Sequence, residues 1–346
     1  MKKQALFPVL ITLVVTALAL IGSSFAWFTV ANTVKISQIT ATAQTDSVDL
    51  RLSFDAINFY SGEITIPNSS DVIMPEKLFQ VSTAGKVSNP GLIDFFDAKV
   101  QEIRNAADSQ LSKDRIATYK DLTVEQNADG TLKAASLEDK PNYGEAGKAF
   151  GEAASAVKPT YIVFDLYVYV DHAADLYLYK DAAVQCQNAV NDATPAEALL
   201  KSLRVGFLYE GSVAESSYNT ADLKRVNTTD STGKFIIWEP SQSVDGGSSV
   251  VKTYGVKSGS DGAFYDAYVA NSSYTEEVAT YSTNQLLVNE SNDTTGKTAL
   301  SSNLTQGYHK FRVFIWLEAN DPDCIDTVAS KYLTVDLSLI ALEHHS

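Results

Sequence analysis

Cysteine occurs only twice in the 346 residues, as Cys186 and Cys324. So sparse a set excludes a disulfide-dense mini-domain. A chain of this length buries a core without staples. Histidine is almost as scarce, with His172, His309, His344 and His345. No H-E-x-x-H occurs among them. That removes the helical zinc-protease site, which needs two histidines one turn apart and a glutamate base. A zinc site built from His172, His309 and carboxylates remains open, against the simpler reading of two exposed turn histidines. No G-x-S-x-G elbow is present for a serine hydrolase, and no G-x-x-x-x-G-K-[ST] loop to cradle phosphate.

Positive charge is the third shortage. Lys and Arg number 27 against 42 Asp and Glu, a formal charge of −15. That balance opposes nucleic-acid binding, which rests on neutralising phosphates. It equally opposes a polybasic membrane-surface role. It suits a self-repelling surface protein screened by divalent cations. Asp321, Asp323 and Asp326 alternate like the start of a calcium loop. Calcium takes ~6–8 oxygens, and the EF-hand spacing and glycine are missing. A solvated acidic turn is the competing reading.

The N-terminus is where apolar sequence concentrates. Lys2 and Lys3 precede an uncharged run from Ala5 to Ile21, and Ser24-Phe25-Ala26 places small residues at the −3 and −1 positions. This is the three-part pattern of a secretory signal peptide over residues 1–26. The alternatives are a retained membrane anchor, for which the run is slightly under the ~20 residues of a span, and a buried helix. Cleavage removes two lysines and no acid, which carries the charge from −15 to −17. Export also permits a disulfide, so the even count makes Cys186 and Cys324 the candidate pair.

Strand patterns dominate the rest. Val48 to Phe54 alternates apolar and polar, and so does the series Ile162, Phe164, Leu166, Val168, Val170. Further strands are expected over Asp175–Lys180, Leu203–Tyr209, Lys234–Trp238 and Leu333–Leu339. In Lys310–Glu318 one face carries Phe311, Val313, Ile315 and Leu317, and the other carries Phe314 and Trp316. Such a strand is expected to be central and covered on both sides. Many strands separated by Gly, Asn, Ser and Asp turns predict an all-β fold, a jelly-roll-like antiparallel β-sandwich over residues 44–341 with long loops. Two helical insertions are expected. One runs around residues 91–121, where Leu92, Phe96, Val100, Ile103, Ala107 and Leu111 recur at helical spacing after Asn89-Pro90-Gly91. A shorter one begins at Pro195. Residues 342–346 read as a tail.

Two segments carry a family resemblance. Ser23-Ser24-Phe25-Ala26-Trp27-Phe28-Thr29 resembles the export junction of the TasA/camelysin family, released by SipW-type signal peptidases. Phe311 to Cys324 resembles the penultimate strand and acidic loop of Gram-positive proteins with that signal type, with Ala319-Asn320 where glycine usually stands. The resemblance implies a jelly-roll matrix protein whose members form extracellular fibres by donating an N-terminal strand. Camelysin, described as a casein-cleaving metallopeptidase, supplies the enzyme alternative. A surface adhesin is the third reading. Residues 27–43, with Val30, Val34, Ile36 and Ile39 as apolar positions, are then the donor strand or an ordinary first strand. The expected partners are other copies of the chain and, during export, a signal peptidase.

The junction residues generate the first test. The exported protein should begin at Trp27 on N-terminal sequencing. A terminus at Met1 would mean that the apolar run is kept as an anchor.

Overall fold

The structure is a computed structural model. It describes residues 35–44, 46–66, 72–73, 78, 80–89, 92–101, 116–121, 125–129, 131–133, 161–187, 199–226, 235–240, 253–254, 277–278, 280–318 and 332–344. The first strands are β1 (Lys35–Gln44), β2 (Leu50–Ser53), β3 (Glu63–Thr65), β4 (Val72–Ile73), β5 (Gln80–Asn89), β6 (Leu92–Gln101) and β7 (Ile116–Asp121). Next come β8 (Glu125–Gln126), β9 (Leu132–Lys133), β10 (Ile162–Val170), β11 (Ala174–Tyr179), β12 (Ala183–Gln187), β13 (Leu203–Ala214) and β14 (Phe235–Glu239). The last are β15 (Thr253–Tyr254), β16 (Glu277–Val278), β17 (Thr280–Ser282), β18 (Leu287–Val288), β19 (Ser301–Leu304), β20 (Gly307–Glu318) and β21 (Tyr332–Glu343).

The fold is an all-β sandwich. One sheet has seven strands in the order β18-β11-β21-β1-β3, with β12 and β19 attached to β21 and β11. The other has ten, in the order β17-β14-β13-β20-β5-β6-β7, with β10 beside β20 and β2 and β4 beside β10. Their facing sides meet in one apolar core. Ile39, Leu333, Val335 and Leu337 come from the first sheet, and Phe164, Phe207, Phe311, Val313 and Ile315 from the second.

The sheets are mixed, which corrects the expectation of antiparallel pairing. β1 runs parallel to β21, β11 to β18, β14 to β17 and β20 to β5. Alternation reports which face a residue takes; it does not report strand direction. The parallel partners here are joined by long crossovers, which leave no local mark.

The long helix is a second correction. Leu92–Gln101 is strand β6, paired antiparallel with β5 on one side and β7 on the other. Asn89 pairs with Leu92, so β5 and β6 are antiparallel neighbours where a helix start is expected. The aromatic and β-branched content of Leu-Ile-Asp-Phe-Phe suits a pleated surface as well as a helical stripe. Burial decides between them: Ile93 and Phe95 pack on the outer side of the ten-stranded sheet. The rest of the expected helix, residues 102–115, lies outside the described residues. Residues 199–202 of the shorter one are helical. β21 runs on to Glu343, so Leu342 and Glu343 belong to a strand and not to a tail.

β20 is central and covered on both faces, as its sequence implies. Its outer face joins a second apolar cluster of Phe95, Tyr161, Val163, Phe235, Phe314 and Trp316. Phe95 stacks on Tyr161 at 4.2 Å and meets Trp316 edge-on at 5.2 Å. Gly206 makes room for this packing. A Cβ there would stand 2.6 Å from the Phe235 ring and 3.1 Å from Trp316. Phe235 is itself wedged against Phe314 and Trp316, so it has little freedom to retreat. Gly206→Ala should therefore destabilise the fold by about 1–3 kcal/mol. Urea denaturation measures it; an unchanged midpoint would mean that the aromatic layer yields.

Candidate functional site

The N-terminal strand enters the first sheet between β21 and β3. Nine register pairs, Lys35↔Tyr332 to Gln44↔Ile340, hold it to β21. Three pairs, Thr40↔Thr65 to Thr42↔Glu63, hold it to β3. The register shifts by one between Ile36 and Gln38. Ile36 and Ile39, three apart, thereby take positions opposite Leu333 and Val335, which are two apart. A bulge is what reconciles the two spacings. Ile39, Ala41 and Ala43 enter the core, while Gln38 is exposed. In the single chain, then, Ile36 and Ile39 belong to an intramolecular strand. Ala26, Trp27, Val30 and Val34 lie outside the described residues, and so do Asp321, Asp323, Cys324 and Asp326. Cys186 is half-buried on β12, opposite Leu333 of β21.

The histidines do not meet as zinc ligands. His309 is not an exposed turn residue. It lies fully buried on β20, opposite Val168 and Ser212. Its Nδ1 is 3.0 Å from the Tyr209 hydroxyl, and its Nε2 is 2.7 Å from the Thr305 carbonyl. A neutral ring satisfies both contacts: Nε2–H donates to the carbonyl and Nδ1 accepts from the hydroxyl. His172 is partly exposed and rests 2.7 Å from Asp171. His344 is 2.9 Å from Asp175. Among the described residues no group of three His, Cys, Asp or Glu is placed to hold a metal.

The most concentrated chemistry lies on the outer face of the ten-stranded sheet. Asp165 on β10 stands directly opposite Arg312 on β20. Arg312 Nε is 2.7 Å from Asp165 Oδ1, and Nη2 is 3.2 Å from Oδ2. On the other side of β20, the register with β13 slips between Tyr209 and Gly211. That bulge leaves Glu210 as an extra residue beside Lys310. Lys310 Nζ lies 2.7 Å from Glu210 Oε2 and 3.4 Å from Asp165 Oδ2. It also donates to the Lys224 carbonyl at 2.8 Å, from the helix Thr220–Arg225. Arg312 Nη1 is 3.3 Å from Glu210 Oε1. Lys310, Arg312 and Glu210 are 0% exposed and Asp165 is 7%.

The two carboxyls are driven apart. Burial raises both, but Arg312 and Lys310 hold Asp165 below the usual carboxylate range. At Glu210 burial prevails over the same two cations and pushes the group up to about 7. A second buried pair, Arg204 with Glu239 at 3.3 Å, lies further along the same face.

The sequence reading missed this network, although its signal is present. A strand buried on both faces cannot expose Lys310 and Arg312, which alternate with Phe311 and Val313. An aspartate within Ile-Val-Phe-Asp-Leu-Tyr-Val is the matching anomaly on β10.

Comparison with family models, curated proteins and solved structures finds no match.

His309 generates a pH test. Burial pushes its imidazole from 6.5 down to about 4, against the opposing bond to Thr305. A folded pKa below the unfolded one means that the folded state binds the proton less readily. The contribution is therefore present above about 6.5 and lost as pH falls towards about 4. The gap corresponds to ~3 kcal/mol. His309→Gln should flatten the native protein's stability loss over that window by about this amount in denaturant titrations. An identical slope in both proteins would show that the ring does not titrate with unfolding.

Proposed function

We propose that the chain is an exported structural subunit of a cell-surface or extracellular matrix, assembling through exchange of its N-terminal strand. The observation that carries this reading is the placement of β1. It is the first described strand, it reaches the rest of the chain through one short connection, and its main partner is the strand nearest the C-terminus. A strand held so can be supplied by another copy without altering a single register pair. That is β-augmentation between identical subunits. The apolar N-terminal run and the small residues before Trp27 support export, and the resemblance to the TasA/camelysin family supports a fibre. Its metallopeptidase alternative is weakened by the sealed, neutral environment of His309.

The adhesin reading keeps one observation in its favour. Phe59, Tyr169, Tyr218 and Tyr308 form an aromatic cluster, with Tyr218 stacked on Tyr308 at 3.9 Å. Nearby Ile57 and Tyr60 are exposed.

Cross-linking separates exchange from a closed monomer. Thr42 and Ser338 are register partners across β1 and β21. Protein carrying only Thr42→Cys is mixed with protein carrying only Ser338→Cys, both with Cys186 and Cys324 replaced by Ser, and oxidised under conditions that produce fibres. Strand exchange gives a disulfide between the two variants that accompanies fibre formation. Fibres that form without this cross-link would sink the mechanism.

A further inference from the structure

Lys310, Glu210 and Asp165 are arranged for chemistry rather than neutralisation alone. Lys310 carries a primary amine into a site closed to water. Glu210 Oε2 is 2.7 Å away, and Asp165 Oδ2 is 3.4 Å away on the opposite flank. In water such a pair stays ionic and inert. A dry site disfavours a charged carboxylate and draws it towards the neutral acid. The burial that raises Glu210 acts in this direction. Holding the two groups in contact also replaces a bimolecular encounter with an intramolecular one.

We propose that Lys310 and Glu210 condense into an intramolecular amide, an isopeptide bond joining β20 to β13. A proton first passes from Lys310 Nζ to Glu210 Oε2, giving amine and acid. Nζ then attacks Glu210 Cδ. The Nζ–Cδ bond forms, and the electron pair moves onto Oε1, which faces Arg312 Nη1 at 3.3 Å. This is where a fixed cation stabilises developing charge. Asp165 takes a proton from Nζ and returns it to the departing Oε2 hydroxyl, as a general base and then acid. The Cδ–Oε2 bond breaks and one water leaves. One amine and one acid become one amide and one water, with no oxidant or cofactor.

The assignment of roles follows from Arg312. Its two-point grip on Asp165 keeps that carboxylate ionised, which makes it a poor acyl group and leaves it able to accept a proton and release it readily. Glu210 sits in the bulge immediately beside Lys310, so the bond links neighbouring strands where they already touch. It would close a covalent ring around everything between residues 210 and 310. The inference is independent of how copies of the chain assemble.

Intact mass under denaturing, reducing conditions decides it on the native full chain. The expected mass is one water below that of the sequence from its measured terminus. Peptide mapping should give one branched peptide carrying both Lys310 and Glu210. A protease nick between residues 210 and 310 should leave the fragments joined on a denaturing gel. Lys310→Arg should restore the full mass and release the nicked fragments. Full mass in the native protein, with linear peptides bearing unmodified Lys310 and Glu210, would overturn the proposal whether or not the variant folds. A branch at Asp165 in place of Glu210 would overturn it as well.

Discussion

Strand β20 is paired along both edges, by β13 on one side and by β10 and then β5 on the other, and both of its faces are covered. Every side chain on it from His309 to Glu318 is therefore removed from water. Desolvating a charge costs several kcal/mol unless partners compensate. Two cations on such a strand oblige the neighbouring strands to supply anions at matching positions. β10 does so by register, placing Asp165 opposite Arg312. β13 has no acid in register and does so by a bulge, which brings Glu210 into place. The helix Thr220–Arg225 adds a carbonyl for the third direction of Lys310 Nζ. The bulge at Glu210 is thus a consequence of one buried strand.

The same constraint separates groups of the same type. Asp165 and Glu210 are both buried carboxyls facing the same two cations. Asp165 receives the planar Arg312 fork at two points and stays ionised. Glu210 meets a single Arg312 nitrogen at 3.3 Å and feels the repulsion of Asp165, so burial prevails. Different geometry around one guanidinium yields a base and an acid side by side, which is the usual way a site obtains both. His309, one residue before Lys310, points to the other face and is kept neutral by apolar surroundings. No acid is needed there, and the described contacts are a hydroxyl and a carbonyl.

The sandwich was legible where aliphatic side chains alternate with aromatic, polar or charged ones, which writes a period of two into the chain even when both faces are buried. Ile162–Val170, Lys310–Glu318 and Leu333–Leu339 all fall within strands of the structure. In Leu-Ile-Asp-Phe-Phe of β6 apolar residues stand side by side, so that period is hidden and helical spacing appears by chance. Parallel pairing was illegible for another reason. The partners β1 and β21 lie almost the whole chain apart, and nothing local specifies such a contact. The buried network was half legible. A lysine and an arginine between buried aromatics announce that partners must exist, but only register and the bulge at Glu210 reveal which acids they are.

What holds β1 differs in kind from what holds β20. The described side chains that β1 gives the core are Ile39 and two alanines, Ala41 and Ala43. Burial contributes at ~25 cal/mol per Å² of apolar surface, so this set supplies far less than the aromatic residues of β20. The larger tie is the backbone ladder to β21, whose bonds depend on the strand's own main chain and not on which molecule it belongs to. An identical strand from a second copy would restore the ladder, the bulge after Ile36 and the three small core contacts together. The energetic difference between the closed and exchanged forms then reduces to the short connection between Gln44 and Leu50 and to the concentration of neighbours. That connection is tied down, since Val48 is buried and the Asp49 amide donates to Asp171. Exchange of β1 would therefore require a local rearrangement at Val48 and Asp49, at the point where the chain enters β2 of the ten-stranded sheet.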